Sequence, residues 1–227
     1  KRIIGDGDSS VLKKNRAARP YGPNYFIEKI ECRNHVLRNY CTKIRELANT
    51  PKTDIYIKNL LKNNINKFRT VIVSAIKFRK NENCSLYEKI DNLKKDILNG
   101  PQHIFGNHEN CATYFCIKSG QPNNILISSF ENSSLFQLFG QALHRVANLS
   151  SSLLFDVDNN AVESYNSVVN KFVGGKRIHF PLRGSYQGRC FAAAVSYNNK
   201  GTFVLQLLKK KKWRTQCCSK HKFFRKE

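Results

Sequence analysis

Methionine is absent from this 227-residue chain, and the 16 Asp and Glu are outnumbered by 39 Lys and Arg. No uninterrupted apolar run approaches the roughly 20 residues that a membrane-spanning helix needs. Each absence excludes something. Without an initiator methionine, Lys1 is expected to lie downstream of the natural start. The shortage of carboxylates argues against a cationic partner, and a formal charge of +23 calls for a polyanionic one, nucleic acid first. A generally basic surface, or a basic tail on an unrelated domain, would give the same total. The run Lys209-Lys210-Lys211-Lys212 supplies only part of the excess, because Lys and Arg recur from Lys13 to Arg189. No signal-peptide pattern and no internal repeat of fixed period are visible. The expectation is a soluble, intracellular, nuclear protein.

With 41% hydrophobic residues, the chain can build one large or two small domains with a real core. Its eight cysteines are scattered, three of them near histidines, and suit reduced thiols or metal ligands better than a disulfide framework.

The opening stretch "IIGDGDSSV" predicts a strand ending at Ile3-Ile4, a tight exit at Gly5, and a helix starting near Val11, capped by Asp8, Ser9 or Ser10. After the turn from Pro20 to Pro23, Tyr25 to Ile30 reads as a second strand. A strand-helix-strand unit of this kind closes with parallel strands, which places Asp6 at their carboxyl edge. The period then changes to about 3.6, with stripes at Val36, Tyr40, Ile44 and Leu47, then Ile57 to Ile72, then Leu86, Ile90, Leu93 and Ile97. This helical block is expected to stop at Asn99-Gly100-Pro101. Leu135, Leu138, Phe139, Ala142 and Val146 predict a further helix. Val162, Tyr165, Val169 and Phe172 predict another, capped at Asp158 or Asn159 and ended by Gly174-Gly175. That helix carries Glu163, Asn166, Ser167 and Asn170 on a separate polar face. A last helix is expected from Ser185 to Tyr197, burying Tyr186, Ala193, Ala194 and Tyr197.

Three constellations carry chemistry. Asp6, or Asp8 in its place, with Glu163 could hold magnesium for two-metal phosphoryl transfer, since that ion prefers hard carboxylate oxygens. On composition alone a polar turn with a helix cap, and a glutamate complementing a helix dipole, is the commoner use of such residues. Cys32 and His35 form a C-x-x-H pair that could share a zinc ion given two more ligands, or could be a buried thiol and a satisfied histidine. His103, His108, Cys111 and Cys116, in "GPQHIFGNHENCATYFC", offer four ligands within fourteen residues, a set suited to structural zinc or to coincidental clustering. Basic and aromatic residues interleave at Lys176 to Phe180 and at Lys212-Trp213-Arg214, a mix that suits phosphate contacts with base stacking.

Taken in order, "IIGDGDSSV", "IECRNHVLRNY", "HIFGNHENCATYFC" and "NNAVESYNSVVNKFVGGKRIHFPLRGSYQGRC" resemble the insect and invertebrate Mutator-like transposase domain over about the first 200 residues. The resemblance implies an α/β, ribonuclease H-like catalytic core using a DDE triad with Mg2+ or Mn2+ for DNA cleavage and strand transfer. Asp6 matches the second aspartate of that triad, Glu163 the final glutamate, and Cys32 with His35 the family's C-x-x-H signature. The implied plan is a partial core over 1–35, a helical insertion over 36–155, the rest of the core over 156–204, and a basic tail over 205–227. The insertion accounts for the 157 positions (163 minus 6) between two residues that must share metals. The implied partners are transposon terminal inverted repeats and target DNA, with homo-oligomerisation of the intact transposase. The family's first aspartate would precede Asp6 on an earlier strand, so the chain as given is expected to be inactive in cleavage. The alternative is a domesticated or decayed, non-catalytic nucleic-acid-binding protein held by zinc.

Overall fold

The computed structural model describes residues 1–5, 10–51, 54–121, 130, 133, 135–174 and 184–199. These residues are mostly helical, with one small parallel sheet, and they fall into two compact units divided after Asn159. The α/β expectation therefore holds in a coarse form, with the helices dominating.

The first unit opens with β1 (Arg2–Gly5), α1 (Ser10–Ala18) and β2 (Glu28–Glu31). The strands pair in parallel, Arg2 opposite Glu28 and Gly5 opposite Glu31. The ladder extends past both ends, because Glu28 N donates to Lys1 O and Cys32 N to Gly5 O, each at 2.8 Å. The second strand begins later than the apolar run from Tyr25 suggests. Gly22, at a φ of +90°, turns the chain so that Tyr25 N donates back to Gly22 O, and Tyr25 and Phe26 remain exposed.

A helical block follows: α2 (Arg33–Ala48), α3 (Ile55–Asn81), α4 (Leu86–Ile104), α5 (Leu135–Ala147) and the single turn α6 (Ser150–Leu153). Its starts are capped as the side chains allow. Asp54 accepts from Tyr56 N at the head of α3, and Ser85 with Glu88 forms a reciprocal capping box at the head of α4. The apolar stripes meet in one core. Leu37, Ile44, Leu61, Ile76, Leu93, Ile97 and Leu153 are fully excluded from solvent. Aromatic rings fill its middle: Phe68 lies 5.7 Å from Phe105 and 5.4 Å from Phe139, at inclined angles that favour ring edge against ring face.

Two details depart from the periodic pattern. Leu86 and Leu138 are exposed, at the rims of their stripes. More consequentially, α4 does not stop at Asn99-Gly100-Pro101 but runs on to Ile104. Proline removes one helical N–H, whose partner would have been the Ile97 carbonyl, but the Pro101 carbonyl still accepts from Phe105 N at 3.0 Å. Packing against α3 compensates. A Cβ at Gly100 would come within 3.0 Å of Val71 Cγ1, so glycine lets the two helices approach at that point.

The second unit contains α7 (Asn160–Val173) and α8 (Ser185–Asn198). Gly174, at a φ of +76°, ends α7 as expected. The Tyr165 and Tyr197 rings meet edge to face at 5.6 Å, and Tyr197 Oη donates to Ala161 O at 3.2 Å. Only Val173 and Ala193 are buried among the described residues of this pair, and Val162 and Tyr186, both expected on buried stripes, are exposed.

Candidate functional site

Continuation of α4 through Pro101 places His103 on a rigid last helical turn instead of in a loop. Gly106, at a φ of +94°, then reverses the chain. The loop that follows is held by its own backbone: Asn107 N donates to Gln102 O, His108 N to Gln121 O, Cys111 N to His108 O, and Gly120 N to His108 O. This folds His108, Cys111 and Cys116 back onto His103.

The ligand atoms of these four side chains all lie within 4.8 Å of one another. His103 Nδ1 is 3.1 Å from His108 Nδ1 and 3.3 Å from Cys111 Sγ. His108 Nδ1 is 3.7 Å from Cys111 Sγ and 3.4 Å from Cys116 Sγ. Zinc bonds of about 2.0–2.1 Å to nitrogen and about 2.3 Å to sulfur, at tetrahedral angles, put ligand atoms roughly 3.3–3.8 Å apart. Four of the six edges, at 3.1–3.7 Å, lie close to those values, the other two are within 4.8 Å, and the N2S2 donor set is one that zinc favours. The set can therefore hold a metal ion. Burial pushes the Cys111 thiol up to about 11, with the neighbouring Cys116 adding to it, and burial followed by His108 lowers the His103 imidazole. A cation at the centre reverses the first effect, because it is the thiolate that binds.

The surroundings hold the ligands in place. Asn99 Nδ2 approaches Cys111 Sγ at 3.6 Å, Ser119 Oγ donates to the Cys111 carbonyl, and the Phe115 ring packs on His103 at 5.0 Å. Tyr114, between the two cysteines, stacks on Phe78 of α3 at 3.8 Å and donates its hydroxyl to Asp96 of α4 at 3.0 Å. Asp96 also accepts from Arg79 Nε at 2.7 Å and Nη2 at 3.1 Å, and Arg79 reaches Glu82 at 2.8 Å. These fastening residues were not legible in the sequence. Arg79 and Asp96 are charged residues of ordinary helices, and only their burial marks them.

The C-x-x-H pair lies elsewhere in the unit. Cys32, fully buried, heads α2 and donates its thiol to Asn159 Oδ1 at 3.1 Å. The intervening Arg33 donates its backbone N–H to Val157 O and its guanidinium to the Asp156 carboxylate, which Lys80 also approaches. His35 lines a cleft with Glu31, Tyr40 and Arg145. Among the described residues, neither Cys32 nor His35 belongs to a group of three or more ligand-type side chains close enough to share an ion. Their neighbourhood instead ties the start of α2 to residues 156–159, and Asp156, at a φ of +53°, takes a left-handed conformation there.

Of the carboxylates, Glu163 is exposed in the first turn of α7, with Asn166, Ser167 and Asn170 also exposed on that helix. Asp6 and Asp8 lie outside the described residues, as do Lys176 to Phe180 and the tail containing Lys209 and Trp213. What is described is β1, which ends at Gly5, paired with Glu31 of β2.

The family model described as Mutator-like transposase matches residues 1–116, which cover β1 through Cys116, the last of the four candidate ligands. No curated protein and no solved structure matches the chain.

Proposed function

Because the chain belongs to the Mutator-like transposase family, we propose that it is a DNA-acting domain whose intact form cleaves and joins DNA with a DDE-type set of carboxylates. The observation that carries this reading is the family match over a segment beginning with the parallel strand-helix-strand unit, where a carboxylate after β1 belongs in a ribonuclease H-like core. Asp6, with Asp8 as substitute, and Glu163 are the assigned pair. Both are hard oxygen donors, the type that Mg2+ or Mn2+ takes. Such ions supply charge neutralisation at a phosphodiester when bound. The chain's own contribution is to present the carboxylates and to draw the phosphate backbone in through its excess of lysine and arginine.

The proposed plan keeps 1–35 and 156–204 as parts of the core, 36–155 as the insertion, and 205–227 as a basic tail. Terminal inverted repeats and target DNA are the proposed partners, the nucleus the proposed compartment, and self-association a property of the intact enzyme. No helix among the described residues is long and apolar enough to cross a membrane. The test has two arms. Duplex DNA binding should weaken by orders of magnitude between about 50 and 200 mM salt. Magnesium-dependent nicking of supercoiled plasmid by the intact transposase should disappear in Glu163→Gln with binding unchanged.

The His/Cys tetrahedron supports a second reading, a non-catalytic nucleic-acid-binding protein stapled by Zn2+. Four protein ligands leave no open position for chemistry, so this zinc is structural in either reading. DNA binding that survives Glu163→Ala, with no nicking by the intact protein, would favour the second.

A further inference from the structure

Helix α3 differs in charge from α4. Over its 27 residues it carries Lys58, Lys62, Lys67, Arg69, Lys77, Arg79 and Lys80 and not one carboxylate. Adjacent α4, with Lys89, Lys94 and Lys95, balances them with Glu88, Asp91 and Asp96. Two of the α3 cations, Arg79 and Lys80, are used internally, by Asp96, Glu82 and Asp156. Among the described residues, Lys58, Lys62, Arg69 and Lys77 take part in no ion pair.

Their placement is not random. Positions 58, 62, 66, 69 and 77 recur at spacings of three, four and eight residues, so they run along one flank of the helix, outside the buried stripe of Ile57, Leu61, Phe68 and Ile72. Lys62, Asn66, Arg69 and Lys77 are exposed. Arg45 of α2 is exposed, and its charge and that of Arg69 both oppose the rise that burial gives the Cys41 thiol, which places Arg45 beside this flank. The exposed polar positions between the cations are Asn59, Asn63, Asn66, Thr70 and Ser74, three of them asparagine and none acidic. Asparagine is a weaker helix former than glutamate or glutamine. A surface serving stability alone would place glutamate there and gain pairing with the lysines. Asparagine instead keeps the face free of negative charge and adds amide donors. From Lys58 to Lys77, nineteen positions (77 minus 58) span about 28 Å of helix rise, close to the roughly 34 Å of one turn of duplex.

We infer that this flank of α3, joined by Arg45 of α2, is a docking ridge for the phosphate backbone of duplex DNA. The assignment rests on the nucleic-acid reading above and adds the surface that carries it. Phosphate contacts of this kind fix position and register without reading bases, so the ridge gives affinity and orientation but little sequence preference.

The test is fluorescence anisotropy of the full chain on a short labelled duplex across a salt series. Lys62→Glu with Arg69→Glu and Lys77→Glu is compared with an equal charge change elsewhere, Lys94→Glu with Lys95→Glu and Lys118→Glu. Each lost phosphate contact should lower the slope of log affinity against log salt by about 0.9, so the α3 variant should lose a slope of roughly 2–3 and the control less than 1. Circular dichroism of both variants checks folding. If the reversals unfold the chain, Lys62→Gln with Lys77→Gln should still lower the slope by roughly 1–2. Equal losses in the α3 and control variants, or none in the α3 variant, overturn the ridge. Absence of salt-dependent DNA binding in the unaltered chain overturns the nucleic-acid function itself. Tighter binding to duplex RNA of the same sequence overturns the DNA assignment.

Discussion

The helical block of the first unit and the α7–α8 pair of the second start from the same signal in the sequence, apolar residues at helical spacing. They end in different states. In the block the stripes of α2, α3, α4 and α5 converge, and residues from Leu37 to Leu154 form one buried cluster. In the pair only Val173 and Ala193 are buried among the described residues, while Val162, Tyr186, Phe191 and Val195 stay exposed. Amphipathicity thus establishes that a helix has an apolar face. It does not establish that anything covers that face, and burial, not periodicity, is what stabilises.

The largest effect separating the two regions should come from metal. Chelation of the His103, His108, Cys111 and Cys116 site should release the loop over 105–121 and with it Tyr114 from α3 and α4. The thermal midpoint of the helical block, followed by circular dichroism, should fall by about 10 °C or more. A midpoint indifferent to chelator, in protein that contains no zinc, would mean that the loop stands on its hydrogen bonds. Next, Phe68→Ala should cost about 3–5 kcal/mol in denaturant unfolding, because a ring touching Phe105 and Phe139 is lost from a closed core. Phe191→Ser in α8 should change stability by no more than about 0.5 kcal/mol. Similar costs at the two positions would show that the exposed face is covered in solution.

Asp96→Ala should come close behind, at about 2–3 kcal/mol, since it removes two charge-assisted hydrogen bonds from Arg79, leaving only Glu82 to it, and takes the acceptor from Tyr114, whereas Tyr114→Phe should cost only about 1 kcal/mol. The smallest effect is one of pH. The hydrogen bond from Arg79 holds the Glu82 carboxyl below its ordinary value of 4.5. A carboxylate depressed in the folded state contributes stability that is present above its unfolded value and lost as pH falls through the folded one. The difference in urea midpoint between the unaltered chain and Glu82→Gln should therefore be present at neutral pH, shrink once pH falls below the ordinary glutamate range, and vanish when the folded carboxyl is protonated.

The candidate metal centre was legible in part. Four ligand types in one short segment named the residues, but spacing could not say that Pro101 leaves α4 intact and that His103 sits on its last turn. Propensity counts the lost hydrogen bond of proline but not the approach of Val71 to Gly100. The C-x-x-H pair was legible as a pattern and not as a set of contacts: the thiol of Cys32 meets Asn159, and Arg33, between the motif residues, meets Asp156. Sequence separations of more than 120 positions carry no local signal.

By itself the sequence determined the excess of positive charge, the parallel strand-helix-strand opening, the helical block and the identity of the four His/Cys candidate ligands. These follow from composition and from periods of two to four residues, which neighbours along the chain impose. Tertiary structure alone decided which stripes are covered, that Arg79, Asp96 and Tyr114 fasten the metal loop, and that α3 leaves a carboxylate-free flank facing outward. Those depend on which surfaces meet across long stretches of chain, where close packing and the cost of burying unpaired charge select one arrangement from many that the local pattern allows.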